Sequence, residues 1–174
     1  MNGNDVTRAL HELFETQVIN HGDYSVVYAE SCTPGTALVI GYRHTPLELV
    51  LVPVELTRPP QAGGDAPRVT ARAAGPVSSI DLSNVATLAD TGTGYRVETV
   101  TGFRAGFEVE DTAHISLSAS TGVVEDDALM LLQDQEAEDF HEFMTHFMDI
   151  LDGFYQVPEA PEFLEDASAH SLAA

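Results

Sequence analysis

The run Glu136-Ala137-Glu138-Asp139-Phe140-His141-Glu142-Phe143-Met144-Thr145-His146-Phe147-Met148-Asp149-Ile150-Leu151-Asp152-Gly153-Phe154 decides the fold more than any other stretch of the chain. At about 100° per residue, Phe140, Phe143, Phe147, Ile150, Leu151 and Phe154 fall on one stripe. Glu138, Glu142, Thr145 and Asp149 lie nearly opposite. The pattern predicts a long amphipathic helix whose aromatic face covers a core. Asp134 is the expected cap and Gly153 lies near the expected C-terminal end.

Upstream, the sequence predicts the core that this helix covers. Leu47-Glu48-Leu49-Val50-Leu51-Val52-Pro53-Val54-Glu55-Leu56 has too many apolar residues for a strand with one wet face. It is expected to be covered on both sides, with an edge or a bulge near Pro53, which cannot donate to a ladder. Tyr24 to Glu30 and Ala37 to Tyr42 read as two preceding strands, with a turn at Thr33-Pro34-Gly35. Tyr95 to Thr101 and Phe103 to Glu110 read as a hairpin turning near Gly102. His114 to Ser120 is a further strand with Ile115 and Leu117 on one face, and Ala128 to Leu132 is either a strand or a helix start. Ser78 to Leu88 is open between a short helix and an irregular strand. At the N-terminus, Val6, Leu10, Leu13 and Phe14 share a helical face behind Asn4 or Asp5 as cap, and Asn20 to Asp23 form a stop. The expected fold class is α+β, an antiparallel sheet with an N-terminal helix and the long C-terminal helix packed on it. One domain over residues 1–156 is expected, with a Pro/Gly/Arg loop at 57–76 and a flexible acidic tail at 157–174.

The chain has 174 residues, 44% of them hydrophobic, and a formal charge of −21. Such a hydrophobic content argues against disorder, and no apolar run approaches the roughly 18–20 residues of a membrane span. The first residues carry no basic charge and lead into no apolar segment, which argues against a secretory signal. Cys32 is the only cysteine, in keeping with a reducing compartment. A soluble cytoplasmic protein is expected.

The charge is unevenly placed. Residues 1–57 carry a net −5, residues 58–104 a net +1, and residues 105–174 a net −17 with no Arg or Lys. All seven basic residues are Arg, which a GC-rich codon bias explains. A halophile's acidic coat would be spread over every face, against the near-neutral middle third. Direct binding of nucleic acid or of an anionic membrane is disfavoured, because both require Lys and Arg at the contact. A basic protein partner, or mimicry of nucleic acid toward such a protein, stays open. The residues expected to meet a partner are Glu138, Glu142, Asp149 and Asp152 on the last helix, with Arg58, Arg68 and Arg72 around the Pro/Gly loop. Those arginines could instead contact the chain's own acidic helix.

No catalytic set is complete. Asp90-Thr91-Gly92-Thr93 matches the core of the aspartic-protease signature, but that chemistry needs two such loops, hence a symmetric dimer. An ordinary turn accounts for it better. Glu138-x-x-His141, with His146 after Glu142, has di-metal bundle spacing but lacks the second half of the ligands. Cys32 lies in no Cys-x-x-Cys pair, Gly92 and Gly94 lack the rest of a dinucleotide site, and no cofactor is expected.

The element order, and most closely His114-Ile115-Ser116-Leu117-Ser118-Ala119-Ser120-Thr121-Gly122 followed by Leu129 to Leu132 and the helix through Phe154, resembles the small acidic chaperones of type III secretion and YbjN-like bacterial domains. That resemblance rests on order, not on a specific motif. Those families also have a middle helix, for which Ser79 to Leu88 is a poor match, and many carry a Trp in the last helix that is absent here. The resemblance implies a non-enzymatic homodimer that binds protein segments. A pleckstrin-like domain, a curved antiparallel sheet closed by a C-terminal helix, fits the same order. The expected function is therefore a protein-binding, adaptor or chaperone-like one, with a pleckstrin-like binding domain, an acidic nucleic-acid mimic and a dimeric hydrolase using Asp90 as alternatives.

Overall fold

The structure, a computed structural model, describes residues 3–33, 35–58, 69–119 and 129–155. Its elements are α1 (Gly3–Gln17), a 3-10 turn (His21–Asp23), β1 (Ser25–Ser31), β2 (Ala37–His44), β3 (Leu47–Arg58), β4 (Thr70–Ala73), β5 (Ser78–Asp81), β6 (Val85–Asp90), β7 (Tyr95–Thr99), β8 (Arg104–Glu108), β9 (Thr112–Ile115), β10 (Ser118–Ala119), β11 (Leu129–Leu132) and α2 (Asp134–Tyr155). The α+β class holds, with a helix at each end of the chain and a large, mainly antiparallel sheet between them in sequence.

β3 has neighbours along both edges. β2 pairs with residues 47–54 on one side, and on the other β5 pairs with 48–51 and β4 with 54–57. Its two faces are also covered, as its composition predicts. Leu49 and Leu51 enter a cluster with Phe140, Phe143, Met144 and Phe147 of α2. Val50, Val52, Val54 and Leu56 enter a second cluster with Val6, Leu10, Leu13 and Phe14 of α1. Alternation along the strand therefore serves two cores.

Pro53 is not at an edge. It lies opposite the gap between β5 and β4, where its carbonyl accepts from Ala74 N at 2.8 Å. A strand residue directs its N–H and C=O to the same side, so the missing donor falls where no ladder strand needs it. Gly41 of β2 faces Phe14, and a Cβ there would overlap the ring, so this glycine sets how closely α1 approaches the sheet.

The strand order is β3-β2-β1-β8-β7-β6, with β5 on the outer side of β3. β5 and β6, at opposite ends of that order, are joined by only residues 82–84, so the sheet curls until its ends meet. Asn84 fastens the bend. Its Oδ1 accepts from Asp81 N at 2.9 Å, its Nδ2 donates to Ser79 O at 2.7 Å, and its carbonyl accepts from Val100 N at 2.8 Å. Ser78 to Leu88 thus belongs to two strands and a bend, not to a helix.

Other boundaries differ from the sequence reading for local reasons. Asn4 and Asp5 lie inside the first turn of α1, where a carboxylate suits the helix dipole, and Asp5 also pairs with Arg8 at 3.3 Å. The 57–76 loop is partly strand, since Thr57 and Arg58 finish β3 and Thr70–Ala73 form β4; residues 59–68 lie outside the described residues. The expected strand from His114 to Ser120 divides. Ile115 and Leu117 do share the α1-side core, but Ser118 and Ala119 leave to pair in parallel with Thr57 and Arg58. Leu129–Leu132 is a strand, antiparallel to β9. In α2 the buried stripe ends at Leu151; Phe154 is 71% exposed and Gly153 lies within the helix, which outruns the sheet it covers. The tail from 157 to 174 lies outside the described residues.

The start of α2 is set by Gln133 rather than Asp134. The Gln133 carbonyl accepts from Ala137 N at 2.8 Å, which makes it the cap residue. Its buried side chain completes the sheet. β1 meets β8 only at Glu30 and Ser31, so Tyr28 has no strand on that side. Gln133 Oε1 accepts from Tyr28 N at 3.0 Å, and Nε2 donates to Tyr28 O and Glu110 O, both at 2.9 Å. Gln133→Ala leaves these buried backbone groups unpaired and should lower unfolding free energy by about 2–4 kcal/mol, measured by urea denaturation. Gln133→Glu places a carboxylate against two carbonyl oxygens, which raises its folded-state pKa. Its stability should therefore be greatest at acid pH and decline as pH rises above the unfolded glutamate value of about 4.3, a trend absent from Gln133→Ala.

Candidate functional site

The outer face of α2 follows from the same periodicity that buries its inner one. Glu138, Glu142, Thr145, Asp149 and Asp152 are exposed, and Glu138, Glu142 and Asp149 line a shallow depression of about 730 Å³ together with Asp134 and, from the β8–β9 connection, Asp111. The four carboxylates expected to meet a partner therefore share one helix, three of them one depression. Of the three arginines, Arg72 does not join them. Arg72 of β4 pairs with Glu55 of β3 at 2.6 Å, Arg58 ends β3, and Arg68 lies outside the described residues.

Among the described residues, ion pairs link Arg8 to Asp5 and Glu12, Arg43 to Asp23 and Glu48, Arg72 to Glu55, and Arg96 and Arg104 to Glu98. None includes a carboxylate of α2. Glu138 and Glu142 are instead like charges at i, i+4, a destabilising spacing. Asp149 and Asp152 stand toward the C-terminal end of α2, whose last turn has no basic residue, so they oppose the helix dipole. The helix carries this face against its own electrostatics.

A second acidic group becomes visible only in the strand register. Glu30 of β1 sits opposite Glu108 of β8, a like-charge cross-strand pair. Burial, followed by the charges of Glu110 and Glu108, raises the Glu30 pKa, and His114 partly counters them. Glu48 is the contrasting case. Burial alone would disfavour its charge, but hydrogen bonds from Ser79 at 2.6 Å, Tyr24 at 2.9 Å and Arg43 at 2.6 Å hold its pKa below the ordinary carboxylate value. That network ties β2, β3 and β5 to the segment before β1.

The chemical motifs take definite places in the fold. Asp90-Thr91-Gly92-Thr93 is the β6–β7 turn. Asp90 Oδ1 accepts from Gly92 N at 2.8 Å, Thr91 N donates to Gly94 O at 2.9 Å, and Gly92 has φ +90°. His141 has its Nδ1 2.7 Å from Tyr95 Oη of β7; burial, then the charge of Asp90, pushes the Tyr95 pKa up to about 12. His146 packs beside His44, with ring centroids 5.7 Å apart. Among the described residues no three His, Cys, Asp or Glu side chains converge on a metal position. No described helix is long and apolar enough to cross a membrane.

No family model, curated protein or solved structure matches this chain.

Sequence reading did not find the Glu30–Glu108 pair, because 78 residues separate them and only register brings them together. The sign of its effect is testable. Glu30 has a folded pKa above its unfolded one, so its ionisation opposes folding above the unfolded value, and that opposition fades as pH falls through the folded pKa. Glu30→Gln should stabilise the protein by a few tenths of a kcal/mol at pH 7 and by nothing at about pH 4, measured as paired denaturation curves.

Proposed function

We propose that this chain is a non-catalytic protein-binding module of adaptor or chaperone-like type, and that the exposed face of α2 contacts a basic segment of its partner. The observation that carries this reading is the row Glu138, Glu142, Asp149 and Asp152. They are exposed, without ion-pair partners among the described residues, and spaced so that they repel one another and the helix end. A cationic partner relieves both penalties at once, while the rigid aromatic stripe beneath keeps the row in place. Where the secretion-chaperone outline expects a middle helix, β5 and β6 stand instead; the curled sheet closed by α2 is nearer the pleckstrin-like outline. Both outlines point to a binding role.

Charge-neutralising sets test the proposal. One variant combines Glu138→Gln, Glu142→Gln, Asp149→Asn and Asp152→Asn. Its control, with an equal change in net charge, combines Glu12→Gln, Glu15→Gln, Asp23→Asn and Glu55→Gln. In affinity capture over a salt series, partners of the native chain should elute at moderate salt, because exposed charge pairing is screened. The α2 variant should lose them and the control keep them. Capture that survives high salt, or that both variants lose equally, would contradict the α2 face as the contact.

A further inference from the structure

A second and different concavity takes no lining residue from α2. A cavity of about 570 Å³ opens where the ends of β1 and β2 meet β7 and β8, within the roughly 300–1,000 Å³ range of small-molecule sites. Leu38, Pro53, Phe103 and Ala105 give it an apolar wall. Arg96 and Arg104 also line it, with side chains 62% and 77% exposed.

These two guanidiniums share one carboxylate. Glu98 Oε1 lies 4.0 Å from Arg96 Nε and 3.6 Å from Arg104 Nε, both longer than a hydrogen bond. Among the residues lining the cavity, two guanidiniums stand against one carboxylate, with donors available for a second carboxylate. The whole chain carries −21, so its long-range field opposes anions. A bare inorganic anion has only this screened local attraction. An anion with an apolar body also gains from the wall below, which compensates the unfavourable field. A cationic ligand meets the two arginines and is disfavoured.

We infer that this cavity binds a small amphipathic carboxylate, its apolar body against Leu38, Pro53, Phe103 and Ala105 and its carboxylate between Arg96 and Arg104. The site is distinct from the α2 face and does not depend on the reading of that face. Cys32, the only cysteine, is exposed and lines the same cavity, so a bound ligand shields its thiol.

Alkylation of Cys32 by uncharged iodoacetamide therefore reports occupancy. 4-Phenylbutyrate should slow alkylation saturably, by about tenfold or more when the site is full, while 4-phenylbutyramide should need about tenfold higher concentration, the difference one charge-assisted contact makes. Acetate at the same ionic strength should not protect. Arg96→Gln with Arg104→Gln should abolish the preference for the acid over the amide, and Arg72→Gln should leave it unchanged. Both replaced arginines are exposed, and a circular dichroism spectrum matching the native chain verifies that the variant is folded. Alkylation unaffected by 4-phenylbutyrate, equal protection by acid and amide, or a preference that persists in the double variant would each overturn the site.

Discussion

The arrangement depends on one constraint, the need to bury both faces of β3. An apolar strand with alternate residues pointing two ways cannot be satisfied by a single helix on a single sheet face. α2 covers the side with Leu49 and Leu51, and α1 covers the side with Val50, Val52 and Val54. Flanking strands then have to serve the same two cores: Leu38, Ile40 and Tyr42 of β2 face α2, and Val39 faces α1. The close approach of α1 at Gly41 and the curling of the sheet through β5 and β6 follow from filling the two spaces so defined.

α2 joins this packing to the proposed contact face. Phe140, Phe143 and Phe147 are fully buried, so the helix cannot rotate without exposing them. Its opposite face is held just as firmly, and the acidic row becomes a fixed pattern of charge rather than a mobile one. Gln133 adds the longitudinal anchor: its backbone carbonyl caps the helix, while its side-chain amide finishes the unpaired edge of β1 and holds the segment after β8. The surface that repels itself is thus mounted on a helix whose opposite face is buried, where the repulsion is tolerated without loss of the fold.

Much of this was legible in the residues themselves. The stripe of α2, the amphipathic α1, the doubly covered β3 and the hairpin at Gly102 are periodic or turn signals with a single geometrical meaning. The acidic row was legible for the same reason, since residues opposite a buried stripe must be outside. What escaped depends on distant pairing. Ser78 to Leu88 was ambiguous because its two short strands owe their conformation to β3 and β7 rather than to local propensity. Gln133 looks like any polar residue ahead of a helix until Tyr28, 105 positions earlier, lies beside it. The cavity by Cys32 draws on β1, β2, β7 and β8, and no local pattern announces such a meeting.

The most direct test of the acidic face is an amide NMR titration of the folded chain with a short oligo-arginine peptide. The account predicts saturable shifts concentrated at the exposed positions of α2, chiefly Glu138, Glu142, Asp149 and Asp152, and their loss as salt screens the contact. Shifts spread evenly over the surface carboxylates, with Asp5, Glu12 and Glu15 of α1 responding as strongly as α2, would contradict it.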